Sequence, residues 1–264
     1  MRKQRTRSDA MRGIMACRLR PDQAALWFLG QAGYILRCGD VTAAIDPYLS
    51  DSAGKASPEF ARALPVPLDP GRMKVDLFIV THDHLDHLDP DTISAYRHKA
   101  TTRFIAPRLA CGKLRSLGIP PRNVRCVDSG QTARFDGVSV TGVYAVPNEP
   151  KVIDTAGYLL EFANGRSVYH TSDTGFSDLL LAAAPRAEVL LTCINGKWGN
   201  LSAEQAAKLT ARVRPRFAIP NHYDVMALNS ENPATFACFA MRAASETAVK
   251  ILGILEPFCW ADPE

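Results

Sequence analysis

The apolar run Val75-Asp-Leu-Phe-Ile-Val80 leads directly into Thr81-His-Asp-His-Leu-Asp-His-Leu-Asp89. A short, nearly continuous apolar stretch suits a strand buried on both faces, so the sheet that contains it needs cover on both sides. The polar segment at its end gathers three of the chain's six histidines into His82-x-His84-x-Asp86-His87. Side chains of one type packed so closely repel when protonated and gain nothing without a cation. Imidazole and carboxylate are preferred ligands of zinc and similar divalent ions. Alternate residues of an extended segment point to the same side, so His82 and His84 can grip one ion together. Asp86 and His87 follow one turn later, aimed at a neighbouring position.

The surrounding pattern predicts two sheets. Ala25–Leu29, Tyr34–Cys38 and Val41–Ile45 are short apolar runs separated by turn residues, which predicts three antiparallel strands. Asp51 to Pro70 reads as a long loop with a helical turn at Pro58–Arg62. Beyond the histidines the pattern predicts a helix over Asp91–Lys99, a strand at Arg103–Ala106, a helix at Ala110–Leu117 and a strand at Asn123–Val127. Hairpin alternation returns through Gln131–Phe135, Val138–Ala145, Gly157–Phe162 and Ser167–His170. Strand–helix alternation follows: a helix near Asp178–Ala184, strands at Val189–Cys193 and Phe217–Pro220, helices at Ser202–Arg212 and within Pro233–Glu246, and a last strand at Lys250–Ile254. Ser202-Ala-Glu-Gln205 is a capping-box signature. Two sheets face to face with helices outside account for this distribution.

Composition excludes several alternatives. With 264 residues, 47% of them hydrophobic and 22% charged, the chain has enough apolar material for a core of its own. No apolar stretch approaches the roughly 20 residues that cross a bilayer, and Ile14–Cys17 is too short for a secretory signal. Seven scattered cysteines argue against a disulfide framework and for reduced thiols in a cytoplasm. Residues 1–23 begin with a basic run that has almost nothing to bury. They are expected to be a flexible tail, with residues 24–264 forming one domain. A formal charge of +4 permits an anionic small molecule as partner without demanding one, and homo-oligomerisation stays open.

With its histidine cluster after an apolar strand, the chain resembles the metallo-β-lactamase-fold hydrolases. Ile45-Asp46-Pro47, Tyr169-His-Thr-Ser-Asp173-Thr and Ile219-Pro-Asn-His222 are similar to further family segments, in the expected order. Within the superfamily, Thr81–Asp89 and Ile194-Asn-Gly-Lys197 look similar to the L-ascorbate-6-phosphate lactonase branch, whose members depend on manganese or zinc. The resemblance implies a four-layer αββα sandwich of the α/β class, with the site along one edge of the sheets. It also implies His82 and His84 on a first ion, Asp86, His87 and His222 on a second, Asp173 between them, and Asp46 behind, holding a ligand histidine. One segment departs from the family: Asn148 stands where a histidine on the first ion is expected. The first position then binds weakly, uses Glu149 instead, or stays empty, and one or two ions remain open.

The implied chemistry is attack by metal-bound hydroxide on an ester, lactone or phosphoester of a small anionic substrate, with Asp86 or Asp173 orienting the water. Lys197 is a candidate for a substrate phosphate, Trp198 for a sugar-like ring, and Asn195 for a further polar contact. His170 on an apolar strand reads as a core residue, His98 on a polar helix face as surface, and Cys193 as packing. A phosphodiesterase of the same fold is the second reading. Nucleic acid is disfavoured because no Gly- and Lys-rich arm is present and the basic residues are dispersed apart from the tail. A non-catalytic binding protein is the third, motivated by Asn148.

Overall fold

In the strand Ala24–Gly30 (β1), Leu26 and Phe28 face one way and Ala25, Trp27 and Leu29 the other, and both sets are buried. A strand apolar on both faces needs a layer against each, and two separate cores supply them. A computed structural model describes residues 10–147 and 153–261.

The first sheet continues through β2 (Gly33–Cys38), β3 (Val41–Ile45), β4 (Leu77–Ile79), β5 (Arg103–Ala106) and β6 (Val124–Cys126). The second contains β7 (Thr132–Phe135), β8 (Val138–Tyr144), β9 (Ala156–Phe162), β10 (Ser167–His170), β11 (Val189–Cys193), β12 (Phe217–Asn221) and β13 (Ala248–Val249). A last strand, β14 (Pro257–Trp260), returns to the first sheet and pairs with β1. The orders are β14-β1-β2-β3-β4-β5-β6 and β13-β12-β11-β10-β9-β8-β7. Each sheet runs from antiparallel hairpins into parallel strands: β3, β4, β5 and β6 in one, and β10, β11, β12 and β13 in the other.

Leu26, Phe28 and Ile79 meet Leu160, Val168, Leu191 and Ile219 between the sheets. Outside the first sheet lie α1 (Ala10–Met15), α3 (Pro90–Ala95) and α4 (Arg108–Ser116), which contribute Ile14, Ile93 and Leu114 to the outer core. α2 (Ser52–Ala56) lies in the long loop after β3. Outside the second sheet, α5 (Asp178–Ala183), α6 (Ala203–Val213) and α7 (Pro233–Ala243) contribute Leu180, Leu209 and Phe236. The result is a four-layer αββα sandwich. Both halves of the Ser202–Gln205 capping box are present at the start of α6. No helix among the described residues is long and apolar enough to cross a membrane.

Three expectations are corrected. The stretch read as a tail is folded from residue 10: Ala10, Met11 and Ile14 are buried, and Arg37 Nη1 donates to the carbonyls of Ile14 and Cys17. Residues 1–9 lie outside the described residues. The strand expected at Lys250–Ile254 is instead the short β13 before it and β14 after it. The helix expected to reach Lys99 ends at Ala95, so His98 sits in the following turn, half-buried, with its carbonyl accepting from the Thr101 and Thr102 amides.

Candidate metal centre

The site lies where the parallel strands of both sheets end. Asp46 follows β3, the histidine segment follows β4, Ser172 and Asp173 follow β10, and His222 follows β12. Ends of parallel strands free the backbone from its ladder while the sheet holds each exit point in place. Several exits use left-handed backbone at residues other than glycine: Gln31 (φ 57°), Asp46 (φ 42°), Ser172 (φ 64°) and His222 (φ 61°). Such conformations persist only where the surroundings over-determine them, and they concentrate at functional sites. The amide of His222 donates to the Gln31 carbonyl at 2.8 Å, and that of Ala156 donates to the Thr81 carbonyl at 3.1 Å, which ties the sheets together here. Gly33 is required beneath it, since a Cβ there would lie 2.9 Å from the Asp46 carbonyl oxygen.

Two groups of three donors converge, His82–His87–Asp173 and Asp86–His87–His222, with the ligand atoms of each within 4.8 Å of one another. His87 belongs to both. Asp173 Oδ1 lies 3.4 Å from His87 Nε2 and 3.2 Å from His222 Nε2. Asp86 Oδ2 lies 3.7 Å from His87 Nε2 and 4.0 Å from His222 Nε2. His84 Nδ1 is 3.0 Å from His82 Nε2. His87 Nε2, Asp173 Oδ1 and both ring nitrogens of His222 are buried without a hydrogen-bond partner. Burying such atoms unpaired costs about 1–3 kcal/mol each, more for charged ones. Their convergence on a common space fits a divalent cation of the kind that imidazole and carboxylate ligands select.

The electrostatics agree. Burial pushes His82 well below the ordinary imidazole range, helped by the neighbouring His87 ring, and burial lowers His222 as well. Neutral imidazole is the form that binds metal. Burial opposes a charged His87 too, yet Asp173, Asp86 and Asp46 hold it well above its usual value. Burial likewise opposes ionisation of Asp173, but His222 and His87 keep its carboxyl well below the normal range. Without a cation, the centre balances its carboxylates with a proton on His87. A divalent ion held by these residues would perform the same balance and displace that proton.

Asp46 takes the supporting place that the resemblance implies, and other supporting residues carry no signal in the sequence. Asp46 Oδ2 contacts His87 Nδ1 at 2.7 Å and accepts from Thr81 Oγ1 at 2.6 Å, while Oδ1 accepts from the Thr81 amide at 2.8 Å. Gln31 Nε2 donates to Asp86 Oδ2 at 2.9 Å, and Asn200 Nδ2 donates to Asp173 Oδ2 at 2.7 Å. Lys113 Nζ donates to the Asp83 carbonyl at 2.8 Å, fastening the histidine segment to α4. Gln31 and Asn200 are ordinary amides in turn sequences, and only the fold brings them to their carboxylates.

Lys197 and Asn195 are engaged within the protein, while His170 and Cys193 take the core roles expected of them. Lys197 Nζ donates to the carbonyls of Leu228 and Ser230 at 2.7 and 3.1 Å, so its charge fastens a loop rather than waiting for a phosphate. Asn195 is buried, and its Nδ2 donates to Asn229 Oδ1 at 2.5 Å. His170 has both ring nitrogens engaged, Nε2 at the Ala32 carbonyl and Nδ1 at the Ser172 amide, each at 3.0 Å. Cys193 is buried among the apolar side chains under the second sheet. Asn148 and Glu149 lie outside the described residues.

The family model described as "Beta-lactamase superfamily domain" matches residues 44–223, which run from β3 to just past His222. The chain belongs to the metallo-β-lactamase superfamily. A UPF0173 metal-dependent hydrolase of Methanopyrus kandleri is 30% identical over 241 residues, covering 87% of this chain and 96% of its own. Another, from Polynucleobacter asymbioticus, is 28% identical over 251 residues, covering 88% and 83%. Among solved structures, the metallo hydrolase Igni18 of Ignicoccus hospitalis superposes with a TM-score of 0.73 at 21% identity, covering 91% of this chain and all of that one. This metallo-β-lactamase-fold chain is a metal-dependent hydrolase.

Proposed function

We propose that this protein hydrolyses a small ester or lactone, using zinc or manganese held by His82, His84, Asp86, His87, Asp173 and His222. The observation that carries this reading is the convergence of His87 Nε2, His222 Nε2 and Asp173 Oδ1, all buried and lacking hydrogen bonds. A divalent ion held there would lower the pKa of its bound water toward roughly 7 and would polarise the carbonyl oxygen as a Lewis acid.

The chain's own residues supply the rest. Asn200 donates to one oxygen of Asp173 and Gln31 to one oxygen of Asp86, which restrains the orientation of both carboxylates. Asp86 lines the cavity beside the centre, and it would take the proton lost by the attacking water. In ester hydrolysis the water's oxygen would join the acyl carbon as the acyl–alkoxy bond breaks, and Asp86 would pass the proton it took from that water to the departing alkoxide.

The notion of an anionic phosphoester substrate loses support here. Lys197 is committed to two backbone carbonyls, and no Lys or Arg among the described residues lines the cavity. The test is to strip the protein with a chelator, reload it with manganese or zinc, and assay p-nitrophenyl acetate, γ-butyrolactone, p-nitrophenyl phosphate and bis-p-nitrophenyl phosphate. Turnover of the ester or lactone that disappears on stripping, and in the His84→Ala/Asp86→Ala double variant, is expected. Turnover confined to the phosphodiester, or none at all with metal bound, overturns the reading.

A further inference from the structure

A cavity of about 370 Å³ opens beside the metal centre and shares His84, Asp86 and Asp173 with it. Away from those three residues its wall is apolar: Ala53, Ala56, Phe60, Leu85, Trp198 and Met226. Polar lining is limited to Ser57, Glu59 and Asn229. A negatively charged group in this outer part meets Glu59 and finds no cation, whereas an apolar group exchanges water for carbon surface.

Phe60 and Trp198 come from opposite halves of the chain. Phe60 ends the short helical turn Pro58–Phe60 in the loop after β3, and Trp198 sits in the loop after β11. Their ring centroids are 5.9 Å apart with planes tilted by 50°. Trp198 is 46% exposed, unusual for so large an apolar surface, and its backbone is left-handed at φ 55°. The loop presenting it is fastened at several points. Gly196 and Gly199 also take positive φ, the Gly196 amide donates to the Leu201 carbonyl, and Lys197 is anchored as described. A strained, exposed indole on a tied loop beside a reactive centre is a preformed contact surface.

The geometry points to a substrate whose group remote from the cleaved bond is uncharged and flat or bulky apolar, resting against the wall that Phe60 and Trp198 form together. This rests on the hydrolytic reading above and adds what the enzyme selects. Phe60 and Trp198 are specificity-determining residues that touch the remote group, while the metal-binding residues handle the reacting one.

The test uses three acetate esters with leaving alcohols of similar acidity: ethyl acetate, benzyl acetate and 4-(acetoxymethyl)benzoate. With the metal-loaded protein, kcat/KM for benzyl acetate is expected to exceed each of the others by about tenfold or more. The benzyl-over-ethyl ratio is expected to fall toward one in Phe60→Ala and Trp198→Ala and to recover partly in Phe60→Leu, which keeps bulk in the wall. Binding is read separately by fluorescence. Trp27 and Trp260 are each only 4% exposed, so acrylamide quenching reports chiefly on Trp198. N-benzylacetamide, a neutral amide, is expected to protect Trp198 in both stripped and loaded protein, and to protect it less in Phe60→Ala. Metal-dependent turnover of all three esters at equal kcat/KM, with Trp198 unprotected, overturns this inference and leaves the hydrolytic reading standing. Protection of Trp198 without turnover of any ester overturns the hydrolytic reading and keeps the cavity as a site for neutral apolar ligands.

Discussion

His87 Nδ1 lies 2.7 Å from Asp46 Oδ2, and both side chains are wholly buried. The contact places the ring proton on Nδ1 and leaves Nε2 facing Asp173 and Asp86. Thr81 completes the support by donating both its amide and its hydroxyl to the same carboxylate. A strand end, an aspartate and a ring are thus locked in one orientation before any ligand arrives.

Asp46→Asn removes the charge that holds His87 while keeping an acceptor for the Thr81 amide. Metal affinity is expected to fall about 10–100-fold, measured by competition with a chromophoric chelator. Unchanged affinity contradicts the supporting role given to Asp46.

Asn200→Ala and Gln31→Ala each release one carboxylate, Asp173 or Asp86, from its donor. Ester turnover is expected to drop about 10–100-fold in each. Metal content by elemental analysis is expected to stay near wild type in Gln31→Ala. Full activity in both variants contradicts the positioning argument.

The stripped protein should lose stability in mild acid. His82, His170 and His222 have folded-state pKa values pushed down, in each case first by burial. Their unfolded value is about 6.5, so the unfolded chain binds more protons as pH falls below it, at about 1.4 kcal/mol per pH unit for each ring. His87 is raised, so its contribution is complete below that pH and is lost only as pH rises through its higher folded value. Tm of the chelator-treated protein is therefore expected to decline from pH 7 to pH 5. A Tm that rises over that interval contradicts this assignment of neutral and charged rings.

Lys197→Met separates the structural role of this lysine from phosphate binding. Inhibition of ester turnover by inorganic phosphate is expected to be unchanged, whereas acrylamide quenching of Trp198 rises as the loop loosens from Leu228 and Ser230. Weaker phosphate inhibition with an unaltered Trp198 restores the phosphate role.

Much of the fold was legible because local pattern and burial coincide. The hairpins of β1 to β3, the capping box of α6 and the apolar approach to His82 each depend on neighbouring residues alone. β14 was not legible: it opens with Pro257 just after the apolar turn at Ile254 and Leu255, and its partner is β1 at the far end of the chain. α1 was hidden because only Ala10, Met11 and Ile14 form its apolar stripe amid basic residues. Within the site, His82, Asp86 and His87 announce themselves by their clustering, whereas Asp46, Asp173 and His222 were legible only through the resemblance to the family. Gln31 and Asn200 were legible by neither route, since amides acquire meaning only from what the fold sets opposite them. Lys197 misled for the complementary reason, that its partners are backbone carbonyls and no side-chain pattern encodes them.

Metal content tests the central claim most directly. Chelator-stripped protein is resupplied with zinc or manganese, separated from free ion, and measured by elemental analysis beside His87→Ala and Asp173→Ala, with circular dichroism checking that each variant is folded. The wild type is expected to retain one or two ions per chain, and each folded variant clearly fewer. A wild type that retains none after supplementation, or folded variants that retain as much as the wild type, contradicts a metal centre built on His87 and Asp173.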